Sequence, residues 1–148
     1  MAKFSYRMQN ILDIKYKMED QARSNYANAR AKLSEEQNKL EHMFARKKEL
    51  ENEYRAMARG HINVRDLLDG RHAIDFQKEL IKKQVVEVRV AEKNFEMARV
   101  RLNEVMKDRK THEKLREKAF ENFLMELSDQ EKKEIDELVS YKYSTEAR

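Results

Sequence analysis

No proline interrupts the 148 residues of this chain, and its two glycines, Gly60 and Gly70, both stand near the middle. Strand-rich folds need tight turns, and proline and glycine are the residues that usually supply them. A sandwich, a barrel or a doubly wound sheet is therefore not expected, and the long stretches flanking Gly60 and Gly70 read as helix. Composition agrees. Charged residues make up 41% of the chain, and Glu, Lys, Arg, Ala, Leu, Met and Gln are all good helix formers. A 40% apolar share in so charged a chain leaves material for a narrow core only.

Spacing turns this into an architecture. From Ala22 the steps alternate four and three through Tyr26, Ala29, Leu33, Glu36, Leu40, Met43, Lys47, Leu50, Tyr54 and Met57. That is a heptad seam with two charged members. An N-terminal seam of Phe4, Met8, Ile11, Lys15, Met18 and Ala22 joins it through two consecutive steps of four, a stutter that locally unwinds a supercoil. A further seam runs Ile81, Gln84, Val88, Ala91, Phe95, Ala98, Leu102, Val105, Arg109, His112, Arg116, Ala119 and Phe123. The sequence thus predicts an all-α single domain over 1–148, with two long helices forming an antiparallel coiled-coil hairpin. Helix one covers about 3–59 and ends at Gly60 in a left-handed C′ position. The tip is 60–74, with Asn63 and Asp69-Gly70 as turn residues. Helix two covers about 75–127. Ser128-Asp129-Gln130-Glu131 fits a capping box that opens a short C-terminal helix over 128–143, followed by a frayed tail from Ser144 to Arg148.

Helices of about 55 residues are about 80 Å long at 1.5 Å per residue, and one short connector folds them back on each other. If Arg59 lies near Phe76, facing positions sum to roughly 135. Arg109, His112 and Arg116 then face Glu19 to Tyr26, which predicts a polar layer with Glu19 near Arg116.

Several function classes drop out. No cysteine means no disulfide, no thiolate nucleophile and no cysteine-ligated metal. No apolar run exceeds three residues, as in Phe123-Leu124-Met125, so a membrane span is not expected. The opening residues hold no apolar stretch of a signal peptide, and a cytoplasmic location is expected. Net charge is +4 from 32 basic and 28 acidic residues, without the one-sided excess of nucleic-acid arms, so no nucleic-acid partner is expected. The histidines, His42, His61, His72 and His112, lack zinc-site spacing, and phosphate loops and nucleophile elbows are missing. A two-helix hairpin also offers no enclosed cavity to tune a carboxylate. A non-enzyme with no metal or cofactor is expected. Two charge features stand out. Lys107, Lys110, Lys114 and Lys118 form a one-signed ridge that suits an acidic partner, unless Glu113 and Glu117 neutralise it. Glu126 to Glu137 carries six acids against two lysines.

Three local patterns, in order along the chain, resemble the flagellar export protein FliJ family. They are Phe4-Ser5-Tyr6-Arg7-Met8-Gln9 with the following Ile11-Leu12-Asp13-Ile14-Lys15, the basic-acidic stretch Arg109 to Glu117, and Glu131-Lys132-Lys133-Glu134-Ile135-Asp136-Glu137. His112 stands where that family's pattern has an aliphatic residue. The resemblance implies an antiparallel coiled coil similar to the stalk of rotary ATPases. The end bearing both termini enters the hexameric export ATPase ring, FliI, and promotes its assembly and activity. The stalk also contacts the export gate protein FlhA, at the cytoplasmic face of the gate, and some members handle export chaperones. On this chain the resemblance puts ring contacts at Phe4, Tyr6, Arg7, Gln9, Lys132, Lys133, Asp136 and Glu137, with Lys110 and Lys114 meeting acidic groups of the ring. It puts the gate-facing surface at Phe76, Gln77, Ile81, Gln84 and Val88. The alternatives are a generic scaffold coiled coil, the stalk of a virulence type III secretion system, and a basic coiled coil that binds nucleic acid.

Overall fold

The computed structural model describes residues 3–60 and 63–146. Two helices account for nearly all of them: α1 (Gln9–Arg59) and α2 (Val64–Glu146). They pack against each other as an antiparallel hairpin, with no strand among the described residues.

Helix boundaries depart from the sequence expectation at three places. The chain over 3–6 is not helical, and α1 starts at Gln9, whose amide donates to the Tyr6 carbonyl at 3.1 Å. At the other end of α1 the Gly60 amide reaches back to the Met57 carbonyl at 3.4 Å, a tightened last turn. No described residue has positive φ, so Gly60 does not take the left-handed cap. The expected tip over 60–74 is mostly helix. Asn63 caps α2, its Oδ1 accepting the Arg65 amide at 3.0 Å and its carbonyl the Leu67 amide at 3.1 Å, and Asp66 in the first turn complements the helix dipole. Gly70 is helical, and its use is proximity. A Cβ there would stand 3.0 Å from Met57 Cε and 3.2 Å from Tyr54 Cδ2, so glycine lets α2 approach α1. Finally, α2 runs unbroken through Ser128–Glu131 and the expected tail to Glu146. A capping box needs a chain break before it, and neither glycine nor proline lies nearby to make one. His61 of the tip and the last tail residues, Ala147 and Arg148, lie outside the described residues.

Contacts gather the chain into two compact units. The middle unit is Gln21–Asn103, and the terminal unit joins Met1–Asp20 to Glu104–Arg148.

In the middle unit every member of the predicted α1 seam, from Ala22 to Met57, is buried or half-buried. The α2 side begins earlier than expected. Leu67, Gly70, Ile74 and Gln77 precede Ile81 at the same three-four spacing, with Ile74, Gln77, Ile81, Gln84, Val88 and Ala91 all buried. Small side chains, Ala22 and Ala91, sit in this core, and Tyr26 and Phe95 stack between them and the next layers, ring centroids 5.2 Å apart. Two glutamines one heptad apart fix the register. Gln77 Nε2 donates to the Met43 carbonyl at 2.9 Å, and Gln84 Nε2 donates to the Glu36 carbonyl at 2.9 Å and to Glu36 Oε2 at 2.6 Å. Facing positions here therefore sum to about 120, not 135, because α2 begins at Val64 and not at the expected start near 75. Lys32 Nζ closes on Glu36 Oε1 at 2.9 Å, and with Gln84 it holds that buried carboxyl down at a pKa of about 2.

In the terminal unit the buried positions of α1 are Leu12 and Glu19, with Lys15 half-buried between them. Met8 and Ile11, expected in the seam, are exposed. With Glu19 in place of Met18 the steps from Leu12 run three, four, three, and the heptad has no stutter. The longer apolar side chain was the better seam candidate by hydropathy. An arginine across the interface makes the carboxylate the resident instead.

Candidate partner-binding site

The polar layer lies in the terminal unit, one heptad away from its expected partner. Arg109 Nε and Nη2 donate to the two oxygens of Glu19 at 2.6 and 3.2 Å, and Nη1 donates to Glu113 Oε2 at 2.9 Å. The Tyr16 hydroxyl donates to Glu113, and Lys15 pairs with Asp108 at 2.7 Å. A paired fork of this kind satisfies the half-buried guanidinium. Hydrogen bonding moves the titrations. The Tyr16 hydroxyl bond holds the Glu113 carboxyl below its usual range, and the same bond raises the Tyr16 phenol. His112 sits beside the layer with Nε2 3.6 Å from Asp108 and with its buried Nδ1 lacking a hydrogen-bond partner.

Arg116 is exposed and does not reach Glu19. Its guanidinium lies 5.9 Å from the ring centroid of Phe4. That ring packs edge-on to Phe120, centroids 5.0 Å apart, and against Phe123 at 5.5 Å. Three aromatic rings thus anchor the non-helical segment before α1 onto α2, which is why α1 begins at Gln9 and not at residue 3. Beside them lies an open cleft of about 780 Å³, with Tyr6, Arg7 and Ile11 on one wall and Asn122, Phe123 and Glu126 on the other. Gln9 turns along its own helix and donates to Asp13 Oδ1 at 2.9 Å.

A flagellar FliJ protein family model matches residues 4–148. The chain belongs to the FliJ family. No curated protein matches in sequence. The chain is also similar to a solved structure from Chlamydia trachomatis described as a homologue of YscO, at 23% identity, covering 96% of each chain with a TM-score of 0.77. At that identity the likeness is one of fold, and the fold is the helical hairpin. Membership of the FliJ family makes this chain a component of type III export machinery.

All three FliJ-like patterns fall in the terminal unit, where Phe4 and Tyr6 are half-buried and Arg7 is exposed. Lys110 and Lys114 are exposed, and with Lys107 and Lys118 they have no ion-pair partner among the described residues. Glu113 cannot neutralise that ridge, since Arg109 and Tyr16 engage it. Lys132, Lys133, Asp136 and Glu137 lie on the stretch of α2 where every residue from 128 to 145 is exposed. Beyond Leu127 the described residues of α2 have nothing packed against them. This helix end displays Ile135, Leu138, Val139, Tyr141 and Tyr143 at 48% exposure or more.

The structure separates the residues expected to face the gate. Phe76 is 64% exposed, whereas Gln77, Ile81, Gln84 and Val88 are all buried inside the hairpin. These four do not form a surface with Phe76 in this fold. Heptad phase carried the warning, since Ile81, Gln84 and Val88 also belong to the predicted seam. Sequence reasoning missed Glu19 and Leu12 in the seam and the aromatic anchoring of Phe4. The apolar side chains of Met8, Ile11 and Met18 hid the first, while nothing local to Phe4 names Phe120 as its partner. Among the described residues no cluster of three or more His, Asp or Glu could hold a metal, and no helix is long and apolar enough to cross a membrane.

Proposed function

We propose that this chain is a non-enzymatic stalk subunit of the flagellar export apparatus. Its terminal unit enters the opening of the hexameric ATPase ring, FliI, and raises that ring's activity. The carrying observation is the family match over residues 4–148, whose three recognisable patterns all fold into one unit. That unit exposes what a ring needs to grip: an unpaired lysine ridge at Lys110 and Lys114, the cleft beside Phe4, Tyr6 and Arg7, and the bare end of α2 with Lys132, Lys133, Asp136 and Glu137. Gln9 stands at the first turn of α1 and borders this surface. Family membership supports contact with the gate protein FlhA and with export chaperones, at the cytoplasmic face of the gate. Phe76 is the gate contact we assign, with Gln77, Ile81, Gln84 and Val88 holding the helix that presents it.

The test is stimulation of the purified ATPase. About one chain per hexamer, set by the closed symmetry of the ring, is expected to raise the rate. Reversing Lys110 and Lys114 to Glu is expected to weaken ring binding while leaving melting unchanged. No stimulation and no binding by the wild-type chain would overturn the reading.

A further inference from the structure

The middle unit carries a second heptad stripe, on the outside of α2. Val86, Val90, Met97 and Val100 are 53%, 49%, 61% and 43% exposed. Single exposed apolar side chains are ordinary on any surface. These four are not scattered: their spacings of four, seven and three keep one heptad phase, the pattern of a helix–helix seam. At about 100° per residue the stripe points roughly 150° away from the buried seam of Ile81, Val88 and Phe95. The helix therefore has two apolar edges, and only one of them is covered. Across the same unit, α1 exposes just one large apolar side chain, Phe44, so the outer stripe is a property of α2 alone.

Charge identifies what could cover it. The polar members of the stripe between Phe76 and Val100 are Glu79, Lys83 and Lys93. Glu79 is taken by Lys82 at 3.2 Å. Lys83, Lys93 and the flanking Arg89 have no ion-pair partner among the described residues. A second copy of this chain would present the same stripe, whose one carboxylate, Glu79, is already paired. A helix with carboxylates at those positions would neutralise them while its apolar residues met the valines and Met97.

We propose that the face of α2 carrying Val86, Val90, Met97 and Val100 docks an amphipathic helix of a partner protein. That helix presents apolar residues at heptad spacing and carboxylates opposite Lys83, Arg89 and Lys93. The surface lies in the other unit from the ring-facing residues.

The probe is a synthetic helical peptide of about three heptads with Leu at the seam positions, in a Glu-flanked and a Lys-flanked version. Fluorescence anisotropy with the full chain should show binding of the Glu-flanked peptide and little of the Lys-flanked one. Val90→Glu and Met97→Glu should each weaken binding about tenfold by placing a charge in the contact, with melting unaltered because both positions are exposed. Lys93→Glu should shift the preference towards the Lys-flanked peptide. Equal affinity for the two peptides, or indifference to the three substitutions, overturns the proposal. So does a wild-type dimer in sedimentation that Val90→Glu splits into monomers, since the stripe would then be covered by its own copy.

Discussion

The two units close the same kind of interface with different chemistry. In the middle unit the helices meet through Ala22, Ile74, Ile81, Val88 and Ala91, and their register is held by neutral glutamines on backbone carbonyls. In the terminal unit a forked arginine, two carboxylates and an aromatic cluster take over, and the last stretch of α2 is not covered at all. Apolar seams with small residues give close approach and stability. Ion layers give less net stability, since desolvation offsets much of their attraction, but they fix which residues face each other. The middle unit reads as structure and the terminal unit as structure combined with recognition.

The sharpest way to break that contrast is to place one charge in each unit. Ile81→Asp buries an unpaired carboxylate in the middle seam and is expected to cost several kcal/mol, enough to abolish cooperative melting. Ile135→Asp, at a position 59% exposed, is expected to leave melting unchanged. Equal effects in circular dichroism would show that the bare end of α2 is packed in solution.

Next in size is the ion layer. Glu19→Ala leaves a nearly buried guanidinium short of its main partner and is expected to cost about 3 kcal/mol in denaturant unfolding. The double change Glu19→Leu with Arg109→Met should come within about 1 kcal/mol of the wild type. A double variant as weak as the single one would mean that the layer is a net stabiliser. A smaller effect is expected for Gln84→Leu. It removes two hydrogen bonds to Glu36 and should cost about 1–2 kcal/mol, read from the same unfolding curves.

The mildest probe is pH. Glu36 has its folded pKa lowered to about 2, and Glu113 is lowered as well. The unfolded chain therefore takes up these protons first. The stability they contribute is present above about pH 4.5 and is lost as pH falls towards 2. Tyr16 is shifted the other way, so its contribution is present below pH 10 and fades as the raised folded pKa is passed. Melting temperature should decline at both extremes. Glu36→Gln should flatten the acid side, and Tyr16→Phe the alkaline side. Unchanged profiles would mean that these carboxyl and phenol contacts do not persist in solution.

Much of this molecule is legible in its heptads. The inward placement of every seam position from Ala22 to Met57, buried or half-buried, follows from periodicity alone, and so do the hairpin and the existence of a polar layer. Register was not legible, because the hairpin turn is set by two features that look alike in sequence. Asn63 starts a helix, whereas Asp69-Gly70, a strong turn pair on paper, lies within one. Gly70 is there for the approach of Tyr54 and Met57, a tertiary reason that no local pattern shows. The polar layer is displaced by less, one heptad, which makes Arg109 and not Arg116 the partner of Glu19. The recognition surface was legible as residue types, through the lysine ridge and the Phe4 signature, but their exposure depended on which side of each helix the seam occupied. Phe76 and Gln77 are neighbours in sequence, yet the seam separates them into surface and core.

Hydrogen exchange on the full chain, with and without the hexameric ATPase ring, tests the division of labour most directly. Added protection should fall on residues 3–11 and on the stretch from Lys110 to the end of α2, with none along α1 between Leu33 and Tyr54. Protection centred on that middle stretch, or no change anywhere at saturating ring, would contradict a stalk that binds through its terminal unit.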